Sequence, residues 1–145
     1  MIVSGLDFGI LMQCIQTIEC HRDTEFEGIL LLKKKMLAAR KVSPEEVPSD
    51  VVTMNSFIKL KQISTDSVFT VKLVYPDFEN VNECRISIFS ALGQAIFLRR
   101  KGDQVSYTAW GKENCIRIMN IIFQPEANGN YYARKYNWNW CHEMR

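Results

Sequence analysis

Three carboxylates, Asp23, Glu25 and Glu27, fall within five residues, and acids so closely placed can hold Mg²⁺ for phosphoryl chemistry. The same residues suit the first turn of a helix, where carboxylates meet the positive end of the macrodipole, and that reading covers all three. Two Cys-His dipeptides, Cys20-His21 and Cys141-His142, offer four metal-binding side chains. Adjacent residues rarely turn both side chains toward one ion, and nothing in the sequence brings the two dipeptides together, so no metal site is assigned to them. The remaining cysteines, Cys14, Cys84 and Cys115, are scattered, and no CxxC pair occurs. All five read as ordinary thiols rather than a disulfide framework or zinc ribbon. With His21 and His142 as the sole histidines, a Ser-His or Cys-His nucleophile pair lacks a well-placed base. The glycine-rich phosphate and dinucleotide fingerprints, HExxH and GxSxG are all missing. The chain is expected to be no enzyme, with no catalytic residue, metal or cofactor of its own.

A second cluster lies near the end of the chain. Tyr131, Tyr132, Tyr136, Trp138 and Trp140 are interleaved with Arg134 and Lys135. Aromatics with basic neighbours can stack on single-stranded bases, and they can equally pack along a sheet or a helix, where large rings remove considerable apolar area from water.

The elements that must position these groups follow from periodicity. Leu6, Ile10, Leu11, Cys14, Ile15 and Ile18 keep to one helical face, which predicts a helix over 6–20. His21 to Thr24 break the pattern, and Thr24 with Glu27 fits a capping box opening a second helix over about 25–40. Its expected apolar face is Phe26, Ile29, Leu30, Met36 and Leu37, with Lys33, Lys34 and Lys35 forming a solvated run near the C-terminal end. So short a connection implies an antiparallel helical hairpin, residues 1–42, with Asp23 and Glu25 at its tip. Fifteen residues give an arm of about 22 Å.

Residues 43–50 hold two prolines and three acids, which ends the helix and reads as a linker. Beyond it the period changes to two. Val52 to Lys61 and Phe69 to Tyr75 read as strands separated by the turn Ser64-Thr65-Asp66-Ser67. A short apolar run at Arg85 to Phe89, a helical stretch over 90–99 and a turn at Gly102-Asp103 follow. Two last strands, about 104–110 and 115–123, flank Gly111 to Asn114. The expected fold is α+β: the helical hairpin, then a domain over 51–124 of four to five mostly antiparallel strands with one short helix, then the aromatic tail, 125–145.

The bulk properties agree with an ordinary globular protein. The chain has 145 residues, 47% hydrophobic and 23% charged, and a net charge of +2, too small for strong nonspecific nucleic-acid binding. Residues 1–50 hold six Lys/Arg against eight Asp/Glu, and residues 51–145 twelve against eight. No apolar stretch approaches the roughly 20 residues that span a bilayer, and Met1 to Ile10 contains Asp7 and no basic segment. No membrane partner is expected, and the expected location is cytoplasmic.

One stretch is more specific. Asp50-Val51-Val52-Thr53-Met54-Asn55-Ser56, Leu73-Val74-Tyr75-Pro76, Arg85-Ile86-Ser87-Ile88, Ser90-Ala91-Leu92-Gly93, Gly102-Asp103 and Gln124-Pro125-Glu126 follow in order over more than half the chain. In that order and spacing they resemble the C-terminal domain shared by the Gre transcript-cleavage factors and the Rnk group. The resemblance implies an FKBP-like domain behind a helical hairpin, in a protein that docks on bacterial RNA polymerase beside the secondary channel. In the longer Gre factors the hairpin enters the channel and tip acids help place a metal ion, so that the polymerase cuts backtracked RNA. In Rnk-like members the hairpin is shorter.

An arm of about 22 Å suits the shorter kind, and residues 19–27 do not reproduce the long-factor tip pattern. The resemblance therefore implies polymerase binding without cleavage stimulation, in competition with longer factors, and a docking loop at Ser90, Leu92 and Gly93. The alternative is a Gre-type cleavage factor whose tip acids, Asp23 and Glu25, assist the polymerase metal site. A third reading gives the aromatic tail a different partner, single-stranded nucleic acid or a second copy of the chain. Prolyl isomerisation, raised by the FKBP-like label, finds no support, because Phe57, Phe69, Tyr75, Phe89 and Phe97 are accounted for as strand and helix positions. Two positions depart from the family pattern: Ala91 stands where proline is usual, and Leu98 where a glycine is usual.

Overall fold

β1 (Ile2–Ser4) runs straight into α1 (Gly5–His21), and α2 (Glu27–Ala38) leads through Ala39 into β2 (Arg40–Val42). The computed structural model describes residues 1–21, 27–109 and 111–127, and within these the side chains other than those of 18–21, 27 and 28. β1 and β2 pair in parallel from Ile2↔Arg40 to Ser4↔Val42, which brings the start of α1 and the end of α2 to one place. α1 starts where it does because the Ser4 hydroxyl accepts the Asp7 amide at 3.0 Å, the N-cap contact that satisfies an otherwise unpaired helix donor. Leu11 and Ile15, four residues apart, are fully buried.

The apolar face of α2 is rotated from the expected one. Ile29, Leu32, Met36 and Ala39 are buried, while Leu30 and Leu37 are exposed, as is Leu31. The run Leu30-Leu31-Leu32 admits more than one phasing, and packing on the body selects the i, i+3, i+7 stripe that begins at Ile29. Phe26 and the Thr24 cap lie outside the described residues, where the described helix begins at Glu27.

After a single 3-10 turn, Pro44–Glu46, capped reciprocally by Ser43 and Glu46, the chain enters the body. β3 (Phe57–Gln62), β4 (Val68–Val74), β5 (Arg85–Ser87), β6 (Gln104–Ala109) and β7 (Lys112–Phe123) form one sheet in the order β5-β4-β3-β7-β6. Neighbours are antiparallel except β4 and β5, which run parallel. Two 3-10 turns, Pro76–Phe78 and Val81–Glu83, carry the chain from β4 to β5. α3 (Ala91–Ile96) then takes it from the β5 edge to β6 at the other edge. The register between β3 and β7 shifts twice, at Phe57/Ile58 and Lys59/Leu60, and such bulges increase local twist and let a long strand curl. The mixed α+β architecture expected from the sequence is present, with five strands in the body sheet.

One expected strand is shortened. Val52 to Ser56 alternate in type as a strand would, yet they form a fully buried turn, and β3 begins at Phe57. Polar groups hold the turn: the Ser56 hydroxyl takes the Thr53 amide at 3.0 Å, and Asn55 sits at φ 62°, the left-handed conformation that asparagine tolerates well. The core is continuous, running from Val3 through the helices and this turn to Ile118 of β7. Each buried Leu, Ile or Phe contributes about 1.5–3 kcal/mol by leaving water.

Candidate functional site

The Ser90, Leu92 and Gly93 segment begins with a chain of hydrogen bonds. The Ser87 hydroxyl accepts the Phe89 amide at 3.0 Å, the Ser90 hydroxyl donates to the Ser87 carbonyl at 2.7 Å, and the same Ser90 oxygen accepts the Gly93 amide at 3.0 Å. Ser90 is thus the N-cap of α3. Gly93 is buried because the turn presses its Cα against the Ser87 carbonyl, and a Cβ there would lie 2.2 Å from that oxygen. Leu92 is half-buried on the core. The three expected residues therefore share one loop, where Ser90 and Gly93 shape it and exposed Ala91 gives it its surface.

Beside this loop lies an open cleft of about 700 Å³. α2 supplies Leu31, Leu32 and Lys35, the α3 segment supplies Phe89, Ala91, Gln94 and Ala95, and β6 supplies Ser106, Tyr107 and Thr108. Lys35 was grouped by sequence with Lys33 and Lys34 as solvated, but it reaches inward: its Nζ donates to the Gln94 carbonyl at 2.9 Å and stands 6.0 Å from the centre of the Phe97 ring. Burial, and secondarily the charge of Arg99, pushes its pKa down to about 8. Arg99 has a buried Nε without an acceptor. Burial also raises the pKa of Tyr107. The signal that could have separated Lys35 from its neighbours was its place three residues after Leu32, on the buried side of the helix.

A second polar cluster is internal. The Thr53 hydroxyl lies 2.6 Å from Glu126 Oε1 and 2.8 Å from the Ser56 hydroxyl. Gln124 Nε2 donates to the carbonyls of Pro48 and Val51 at 2.7 Å each. Asp7 accepts from the Tyr75 hydroxyl at 3.3 Å and the Met54 amide at 3.4 Å, fastening α1 to the body. Every one of these side chains is buried, so the cluster fastens segments together and presents no reactive group to a substrate. It also accounts for most of the quoted motif residues at the two ends of the resemblance.

Among the described residues no group of three or more His, Cys, Asp or Glu could hold a metal ion. Cys14, Cys84 and Cys115 are free thiols, and no helix is long and apolar enough to cross a membrane. The proposed tip, Asp23 and Glu25, lies outside the described residues, as do the Cys20, His21 and Glu27 side chains, Cys141-His142 and the aromatic cluster from Tyr131.

A curled mixed sheet crossed by one short helix and joined to two N-terminal helices matches a class of transcription elongation factor. The family "Transcription elongation factor, GreA/GreB, C-term" matches residues 47–123, and the chain belongs to it. Among its relatives, the Regulator of nucleoside diphosphate kinase of Escherichia coli K12 is 34% identical over 101 residues, 69% of this chain and 74% of that protein. Transcription elongation factor GreA of Helicobacter hepaticus is 30% identical over 90 residues, 61% of this chain and 55% of that protein. The solved structure of a prokaryotic transcription elongation factor GreA/GreB from Nitrosomonas europaea superposes with a TM-score of 0.70 at 28% identity, covering 84% of this chain and 97% of that one.

Proposed function

We propose that the chain is an RNA polymerase-binding transcription regulator that docks at the rim of the secondary channel without stimulating transcript cleavage, in competition with longer Gre factors. Arm length carries the reading. α1 has 17 residues and α2 has 12, at most about 25 and 18 Å at 1.5 Å per residue, and part of that length is packed on the body through Leu32, Lys35 and Met36. Folded as a short antiparallel hairpin, an arm of that reach ends near the channel entrance while the body rests outside. Family membership and the name of the E. coli relative, a regulator, support a regulatory rather than an enzymatic role.

In this reading residues 1–42 are the arm, 43–50 the linker, 51–124 an FKBP-like body and 125–145 the tail. Ser90, Leu92 and Gly93 shape the docking loop, and Asp23 and Glu25 stand at the tip with no catalytic duty. The protein works in the cytoplasm with no cofactor, and any nucleic-acid contact is indirect or weak.

A backtracked elongation complex tests the proposal. The chain alone should leave the RNA at full length, and with a long Gre factor present it should suppress that factor's cleavage in a dose-dependent way. Shortened RNA produced by the chain alone, and abolished by Asp23→Ala, would instead establish the tip acids as participants in cleavage.

A further inference from the structure

The two edges of the body sheet are unlike. β5 is three residues long and begins with Arg85, and shortness and charge are the usual protections of an edge. β6 is six residues, Gln-Val-Ser-Tyr-Thr-Ala, with no charge and no proline, and it pairs with β7 alone among the described residues. Its free backbone groups can be assigned. The Cys115 carbonyl accepts the Ile63 amide at 3.0 Å, toward the β3 side of β7, so Cys115 does not bond its β6 partner, Ser106. Because bonded and non-bonded pairs alternate in an antiparallel ladder, Ser106 and Thr108 both direct N–H and C=O away from β7. Both residues are exposed, and both line the cleft beside α2 and α3.

We propose that this edge is a peptide-binding site at which an acidic peptide in extended conformation adds as a sixth strand, antiparallel or parallel to β6. Main-chain bonds to an open edge supply affinity, and pockets for alternate side chains supply selectivity. The face shared with Tyr107 offers such a pocket, apolar at Leu31 and Ala95 and cationic at Lys35. Among the described residues no carboxylate lines the cleft, and Lys35 is bonded to a neutral carbonyl. A peptide carboxylate near Lys35, with an aliphatic side chain two residues away on the same face, completes the charge and fills the apolar part. The site requires no polymerase, so it stands or falls separately from the function proposed above.

The test uses the full chain, labelled with ¹⁵N, and the capped peptide acetyl-Thr-Glu-Thr-Leu-Thr-amide. Saturable amide shifts at Ser106 and Thr108, at peptide concentrations between about 10 µM and 1 mM, are expected for a single added strand. Replacing the peptide's Glu by Lys should weaken binding about fivefold or more. Of two isomers N-methylated on alternate amides, one should bind as before and the other should fail. Ser106→Pro removes an outward N–H without touching the β6–β7 ladder and should weaken binding about tenfold. If that variant does not fold, the two methylated isomers on the unaltered protein decide the matter. No saturable shift at 2 mM, on the order of the weakest useful affinities, overturns the site. So does equal binding by both isomers. Concentration-dependent broadening of the β6 amides without peptide assigns the edge to a second copy of the chain instead.

Discussion

The turn Val51–Ser56 and the segment Ser87–Leu98 both carry runs of the family pattern, but they use them differently. In the turn every side chain is buried, and the Thr53 hydroxyl bonds inward, to Glu126 and Ser56. In the segment Ser90 and Gly93 fold the loop, while Ala91 is exposed and Gln94 and Ala95 face the cleft. Motif density therefore does not by itself separate residues that specify the fold from residues that present a surface. Exposure does: the side chains of the turn are sealed in the core, whereas Ala91, Gln94 and Ala95 reach the surface and the cleft.

Four substitutions break or sharpen that contrast. Gly93→Ala should be the most damaging, since its Cβ meets the Ser87 carbonyl at 2.2 Å and a backbone oxygen cannot swing aside. A loss of at least about 3 kcal/mol, seen as a fall in Tm of about 10 °C, is expected in calorimetry. Thr53→Val keeps the shape of the turn but removes the hydroxyl that reaches Glu126 and Ser56. Urea unfolding should show a loss of about 2 kcal/mol, and an unchanged midpoint would mean that the cluster does not fasten the turn.

Lys35 tests the boundary between fold and surface through pH. Its folded pKa, about 8, is below the ordinary 10.5. Between those values the unfolded chain binds more protons, so stability rises with pH across that window as the charged amine ceases to be buried. Screening of the partly exposed amine reduces the effect to about 1–2 kcal/mol. The rise should be smaller by that amount in Lys35→Met, measured by urea unfolding at pH 7.5 and 10.5, and identical pH profiles would place the amine in water. Smallest is Ala91→Pro, which restores the usual family residue at the first position of α3. Ser90 already has φ −71° and ψ 157°, the conformation a following proline favours. A gain of about 0.5–1 kcal/mol is expected in the same assay.

The sequence made the body legible because its strands alternate and its turns carry Gly102, Asp103 and Pro76 at the required places. What escaped it depended on tertiary contacts. Val52 and Met54 alternate like a strand, and only the left-handed Asn55 and the Thr53-Ser56 pair reveal the turn. The Leu30-Leu32 run left the phase of α2 open, and with it the position of Lys35, the main cation of the cleft. β1 and β2 are three residues each, too short for periodicity to register. Leu98 was legible as a departure, and its φ of 65° is the conformation that makes glycine usual there. A left-handed leucine costs about 1–2 kcal/mol, which its burial offsets by about 1.5–3 kcal/mol. The candidate docking loop was legible only through family resemblance, since nothing in its spacing distinguishes a cap from a contact.

Binding of the purified chain to core RNA polymerase, repeated with a long Gre factor as competitor, tests the central claim most directly. Saturable binding that the longer factor displaces is the predicted result. No binding at micromolar concentrations, or binding that the longer factor leaves unchanged, would contradict docking at the channel rim.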